Sequence, residues 1–244
     1  MQNEQEALII EAGLPFGKDV KCALGWNTAK IKAVIVSHAH GDHSAYAAQY
    51  TAVGIRVMAL SDVIERRGLS VPAMPYQPGR GFIVGGFKVL PFPLIHYNTD
   101  GSRCPNCGFL ITHEETGRIV FFTDCEAFSR EVQTEDGIRY QPYDFPDVSH
   151  WMIEANYDDF ILRRSHLDET IKARIKRSHM SLRNAIKTAK RIDLHMTREI
   201  LLLHLSDGNS DDRKFVREMR KATGKRTYAA HAGLVIDYDI KPTF

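Results

Sequence analysis

The seven residues Ser37-His38-Ala39-His40-Gly41-Asp42-His43 constrain this chain more than any other stretch. They follow directly on the apolar run Ala33-Val34-Ile35-Val36, which reads as a buried strand. Alternate side chains of an extended backbone point to the same side. On that rule His38, His40 and Asp42 converge, while His43 turns off as the chain enters a helix-like stretch over residues 44–53. Three imidazoles and a carboxylate in six residues are a ligand set preferred by zinc or a similar borderline divalent ion. One ion cannot comfortably take all four from so short a loop. The simplest arrangement is two ions, one on His38 and His40, the other on Asp42 and His43. A polar loop with coincidental histidines is the plain alternative, and the spacing after a buried strand speaks against it.

A second set of donors lies at strand ends. His96 ends Pro91-Phe92-Pro93-Leu94-Ile95, Asp124 ends Ile119-Val120-Phe121-Phe122-Thr123, and His204 ends Ile200-Leu201-Leu202-Leu203. Each is a polar group at the tip of an apolar strand, where a site on a sheet rim recruits ligands.

The remaining pattern is that of an α/β chain. Strands are expected over residues 7–11, 33–37, 55–59, 82–84, 87–90, 92–95, 108–112, 119–123, 148–154, 199–205, 227–230 and 234–238. Helices are expected over 18–24, 62–67 with Ser61 as cap, 157–162, 168–177, 181–193 and 211–222. Three prolines, Pro72, Pro75 and Pro78, and Gly79 mark residues 69–80 as an irregular loop. Strands fall in two blocks, each followed by helices, with no compositional break between them. Two sheets packed together with helices outside satisfy that order in a single domain over residues 1–244.

Composition narrows the class further. The chain is 43% hydrophobic and 25% charged, with no apolar run near the roughly 18 residues that span a bilayer. The opening hexapeptide lacks a secretory layout, and Cys22, Cys104, Cys107 and Cys125 are too unevenly placed for a disulfide framework. A cytoplasmic protein with no membrane contact is the expectation. The net charge of +2 conceals a basic segment: residues 161–191 carry ten Lys or Arg against Asp168 and Glu169. Such runs are commonly solvated helix faces; a phosphate-binding surface is the functional alternative.

The loop His38-x-His40-x-Asp42-His43 resembles the signature of the metallo-β-lactamase superfamily. The resemblance implies an αββα sandwich, two mixed sheets packed face to face with helices outside. It implies that His38, His40 and His96 bind one metal, that Asp42, His43 and His204 bind a second, and that Asp124 bridges them. Histidine at position 40, where the di-iron oxidoreductases of the fold usually carry Glu, favours a hydrolase with two Zn2+, with Mn2+ as the alternative. Three further blocks, Glu154-Ala-Asn-Tyr-Asp158, His179-Met-Ser-Leu-Arg-Asn184 and His204-Leu-Ser-Asp-Gly-Asn209, resemble those of small YycJ/WalJ-type nucleases, relatives of RNase Z and RNase J. Departures from that pattern include Glu11 where Asp is usual, Tyr97 where Asp often follows the third histidine, and Ser178 in place of Gly before His179.

The reaction so implied is phosphodiester cleavage by a hydroxide held between the metals, exonuclease-like and on DNA or RNA. Asp42 would orient the water, and His179 would act as general acid, with capping of its helix the structural alternative. Glu154 would be a partner of a ligand or of His179. Arg174, Lys176, Arg177 and Arg183, flanking His179, would grip successive phosphates of a nucleic acid with little sequence preference. Two rivals stand beside this: a small-molecule hydrolase acting on a cyclic phosphodiester, lactone or thioester, and a non-catalytic, metal-stabilised nucleic-acid- or protein-binding domain.

Other features are discounted. Cys104-Pro105-Asn106-Cys107 lacks a second cysteine pair and reads as a turn with two buried thiols. Cys125 should point into the core. His113, His150, His166, His195 and His231 lack ligand spacing, and Trp26 and Trp151 read as core.

Overall fold

The computed structural model describes residues 1–239 and divides into two compact units, Met1–Pro93 with Cys104–Cys107, and Leu94–Arg103 with the chain from Gly108 onward. In the first unit the strands β1 (Ala7–Ile10), β2 (Ile31–Ile35), β3 (Val57–Ala59) and β4 (Ala73–Pro75) form a parallel sheet in sequence order. Parallel strands need crossovers. These are supplied by α1 (Lys18–Ala23) between β1 and β2, by α2 (Gly41–Ser44) and α3 (Ala47–Ala52) between β2 and β3, and by α4 (Ser61–Arg66) before β4. Leu8, Ala33, Val34, Ile35 and Val57 are buried throughout, so the central strands read as continuous apolar runs, and Val63 of α4 is buried as well. An antiparallel hairpin follows, β5 (Phe82–Val84) and the start of β6 (Phe87–Tyr97), turning at Gly85-Gly86.

In the second unit the later part of β7 (Arg103–His113), from Gly108, and β8 (Gly117–Phe122) are antiparallel. Strands β9 (Ser129–Thr134) and β10 (Gly137–Pro142) make a separate hairpin. Strand β11 (His150–Glu154) leads to α5 (Asp159–Arg164), α6 (Glu169–Ser178) and α7 (Leu182–Arg191), and then come β12 (Glu199–Leu203), α8 (Asp212–Thr223) and β13 (Arg226–Ala229). The order is β13-β12-β11-β8-β7, with β8, β11, β12 and β13 mutually parallel. Their registers pair Ile153 with Phe122, Glu154 with Leu203 and Leu202 with Ala229. The carboxyl ends of the parallel strands therefore share one rim, where ligands of open α/β sheets are usually held. Trp151, Phe109, Phe122, Phe128 and Phe215 fill the interior of this unit.

In the second unit the helix starts follow their capping residues, whereas α1 to α4 have no side-chain cap bond. Asp158, Asp168, Ser181 and Asp211 accept backbone N–H bonds at the starts of α5, α6, α7 and α8, and left-handed Gly224 (φ 69°) ends α8.

Several expectations are corrected. Ser61 is the first residue of α4 and makes no capping bond; Leu60 holds the cap position. The loop over residues 69–80 contains β4, a short edge strand that proline tolerates. Residues Cys104–Cys107 lie within β7, where both thiols are buried as expected, instead of in a turn. Trp26, at φ 63° and 62% exposed, is not core. No strand forms over residues 234–238: the chain turns at Gly233, and Val235, 90% exposed, has nothing to pack against. Hairpin β9–β10 was not foreseen, because its strands carry no apolar run.

Candidate functional site

The first unit holds His38, His40, Asp42 and His43. The extended run expected through Asp42 stops earlier: a helical turn begins at Gly41 with His40 at its cap position. His43 therefore folds back instead of turning off, and its ring centre lies 4.3 Å from that of His38, which is 4.7 Å from that of His40. His38 and His43 are buried, while the Asp42 side chain is 64% exposed with an oxygen 3.4 Å from His43 Nε2.

Backbone contacts hold this loop. The His43 carbonyl accepts from the Ala12 N–H, and the Tyr46 N–H donates to the Ala12 carbonyl. A Cβ on Gly13 would sit 1.7 Å from the Asp42 carbonyl oxygen, so only glycine permits the approach. Arg67 donates to the Ala39 carbonyl at 2.6 Å and to Ser44 Oγ at 2.8 Å. Tyr76 Oη donates to the Val36 carbonyl. Glu11, left-handed at φ 70°, accepts the Ser37 N–H and places its other oxygen 3.3 Å from His43 Nδ1. Sequence reasoning noted Glu11 only as a departure from a family pattern. The available signal was an acid at the tip of an apolar strand.

The second unit gathers His96, Asp124, Glu154, His179 and His204. Asp124 lies two residues beyond β8, Glu154 ends β11 and His204 follows β12, so all three share the rim. Asp124 and His204 are left-handed (φ 54° and 56°), a region Asp and His tolerate better than most residues and one that clusters at functional sites. His179 arrives between α6 and α7. Its linker is laced to the residues after β11: the Asn156 N–H donates to the Met180 carbonyl, and the Leu182 N–H to the Tyr157 carbonyl. Asn156 Nδ2 also donates to the His204 carbonyl. The three sequence blocks around Glu154, His179 and His204 are thus one hydrogen-bonded unit.

Glu154 is fully buried and sits at its centre. Oε1 lies 2.8 Å from His179 Nδ1 and 3.2 Å from His204 Nδ1, and Oε2 accepts the Cys125 N–H. Asp124 Oδ1 is 2.9 Å from His179 Nδ1 and 3.1 Å from His204 Nδ1. Burial opposes the Glu154 charge, but the two imidazoles hold its pKa below the ordinary carboxylate range. Burial likewise opposes charge on His179, yet Asp124 and Glu154 outweigh it and raise the ring to about 9. The His96 ring, itself buried, is centred 6.2 Å from that of His179. Donor atoms of Asp124, Glu154, His179 and His204 all lie within 4.8 Å of one another, a carboxylate and imidazole set that fits a divalent transition metal.

A family model described as "Beta-lactamase superfamily domain" matches residues 20–205. The chain belongs to that superfamily.

Several solved structures share the fold. YhfI from Bacillus subtilis, a metallo-beta-lactamase fold protein, superposes with a TM-score of 0.62 at 18% identity, covering 96% of this chain and 88% of its own. Yeast PDE1 gives 0.57 at 13%, covering 92% and 79%. CmlA, a diiron β-hydroxylase from Streptomyces venezuelae, gives 0.53 at 14%, covering 83% of this chain and 44% of its own. No curated protein matches. In this superfamily a dinuclear site with His and Asp ligands is expected, and each unit supplies donors of that kind.

Of the expected phosphate-binding residues, Arg174, Lys176, Arg177 and Arg183 are all exposed, on α6 and α7. Lys172 of the same segment is instead buried and paired with Glu169. Cys125 is buried, as expected, and burial pushes its thiol well above the usual range. His113 and His150 are buried away from these clusters, His150 on Glu199 at 2.7 Å. Among the described residues no helix is long and apolar enough to cross a membrane.

Proposed function

We propose that this superfamily member is a phosphodiesterase with two zinc ions, most specifically a nuclease of the YycJ/WalJ type. Its ligands would be His38, His40 and His96 for one ion, Asp42, His43 and His204 for the other, and Asp124 for both. Bound there, the metals would activate water and neutralise charge on phosphate oxygens. The residues of the chain would do the rest. Glu154 fixes the His179 ring through Nδ1, leaving Nε2 to hold a proton for the leaving oxygen, and His179 is thereby the general acid. Asp42 would orient the attacking water.

The observation that carries this reading is the sharing of Glu154 between His179 and His204. One buried carboxylate orients a candidate ligand and a candidate acid together, as the outer partners of metal-ligating histidines do. The exposed cations of α6 and α7, in the segments on either side of His179, favour a polyanionic substrate over a neutral small molecule. Histidine at position 40 favours zinc over the iron of a neighbour such as CmlA.

Elemental analysis combined with cleavage of end-labelled DNA and RNA tests the proposal. His40→Ala should lose metal and activity together. His179→Ala should keep metal and lose about 10²- to 10⁴-fold in rate, the usual contribution of a general acid. Loss of metal from His179→Ala would make it a ligand instead. Turnover of a thioester or lactone but not bis-p-nitrophenyl phosphate would establish the small-molecule rival.

A further inference from the structure

Tyr97 is a departure from the resembled nuclease pattern, which often carries Asp after the third histidine, and nothing in the proposed chemistry uses it. In the structure it is the meeting point of two cations. The Arg103 guanidinium lies 4.7 Å and the Arg177 guanidinium 5.1 Å from the Tyr97 ring centre. Both distances are within the range where an aromatic face attracts a cation. Arg103 is also paired with Glu131. Arg177 is exposed, and among the described residues it makes no ion pair.

The backbone around this stack is fixed. Residues 98–102 close a tight turn between β6 and β7, with the Asn98 N–H donating to the Ser102 carbonyl and the Gly101 N–H to the Asn98 carbonyl. Gly101 is left-handed (φ 88°), and a Cβ there would press to 3.3 Å from an Arg177 terminal nitrogen. The turn therefore forms a wall against one side of Arg177, and Tyr97 forms a shelf under it. A long side chain that would otherwise sample many rotamers is held in one region.

Position relates the stack to the proposed site. Tyr97 adjoins His96, and strand alternation turns the two side chains to opposite sides. Arg177 is two residues from His179. The guanidinium thus flanks the His96–His179 pair instead of lining it. An aspartate at position 97 would bind the guanidinium and cancel its charge; tyrosine presents the charge outward.

We propose that Tyr97 and Arg177 form a binding subsite for a backbone phosphate of a nucleic acid strand, one flanking the phosphodiester that is cleaved. The assignment rests on the reading of this chain as a nuclease, and it names Tyr97 as the residue that sets affinity for a polymeric substrate.

The test measures binding of a fluorescein-labelled single-stranded DNA 12-mer to the full chain after metal removal, by anisotropy across a salt series. Arg177→Met should weaken binding about ten-fold and reduce the slope of log K on log salt by about 0.7, the value for one phosphate contact on a single strand. Tyr97→Asp should weaken it similarly, whereas Tyr97→Phe, which keeps the shelf, should bind within two-fold of the parent. Arg164→Met, an exposed arginine over Phe160 at 4.7 Å on α5, is the control and should bind like the parent. Thermal melts within a few degrees of the parent establish that each variant is folded. Parental binding by Arg177→Met, or equal loss in Tyr97→Phe and Tyr97→Asp, overturns the subsite. Turnover of bis-p-nitrophenyl phosphate by the metal-loaded parent reads the nuclease proposal separately: its absence with Arg177-dependent binding sinks that proposal and leaves Tyr97 and Arg177 as a phosphate-binding pair without cleavage, and the reverse sinks the subsite alone.

Discussion

The two donor clusters are held in opposite ways. In the first unit, the donors are contiguous from His38 to His43 and their loop is fixed from outside by contacts to its main chain and that of the strand before it, from the backbone at Ala12 and Gly13 and from the side chains of Arg67 and Tyr76. In the second, donors separated by more than a hundred residues of chain meet at one sheet rim and are knit by side chains, chiefly Glu154. A backbone-cradled loop should fail by steric disruption. A side-chain network should fail by loss of charge while the fold survives.

The sharpest way to break the contrast is Gly13→Ala. The new Cβ would overlap the Asp42 carbonyl, which is backbone and cannot swing aside. A destabilisation of about 4 kcal/mol is expected, at the upper end for single substitutions. The denaturant midpoint should fall by the corresponding amount. A change under 1 kcal/mol would mean that the loop is not cradled as described.

Glu154→Gln probes the other cluster. The amide keeps the shape but removes the charge that His179 and His204 share, so the fold should persist while metal affinity or turnover falls about 10- to 100-fold. Metal titration of the variant measures the first and initial rates the second. Equal loss of stability in Glu154→Gln and Gly13→Ala would erase the distinction between the clusters.

The same difference explains what the sequence made legible. A contiguous loop after an apolar strand announces itself, and His38, His40, Asp42 and His43 were found as a set. The local geometry was less legible, because alternation holds only while the chain stays extended and Gly41 starts a helical turn. His96, Asp124 and His204 were visible only as polar tips on apolar strands, and their order in a known superfamily supplied the rest. Glu11 and Arg67 are not legible as supports for the loop, since a side chain that bonds to the loop's main chain has no partner residue type to mark it in the sequence. Hairpin β9–β10 escaped for a related reason: its mostly exposed, polar strands carry no hydrophobic period, and the turn signal Glu135-Asp136-Gly137 stood alone.

A smaller effect is expected at Arg67, which joins the cradle from α4's end. Arg67→Met keeps the stem and removes the bonds to the Ala39 carbonyl and Ser44 Oγ, at a cost of about 1–2 kcal/mol. Because those bonds hold Ala39, between His38 and His40, and Ser44, just after His43, metal affinity should weaken as well. Retention of parental metal affinity would assign Arg67 to stability alone.

The smallest effect belongs to Asp158, where the second unit uses one carboxylate for two tasks. Asp158 accepts the Phe160 and Ile161 N–H groups at the start of α5 and pairs with Lys214 of α8 at 2.7 Å. Burial opposes its charge, but Lys214 and the two N–H groups outweigh burial and hold the pKa below the ordinary value of 3.8. A carboxylate whose folded pKa is depressed contributes stability that is full above the unfolded value and is lost as pH falls through the folded one. Asparagine can still cap α5, so Asp158→Asn should cost about 1 kcal/mol at neutral pH through loss of the charged bond to Lys214. The gap between parent and variant should hold constant from neutral pH down to about 4 and close below it. Denaturant titrations at several pH values would show this, and a gap that instead opened only above pH 6 would locate the stabilising charge elsewhere, with the buried His150–Glu199 pair at the start of β11 and β12 the next to be tested.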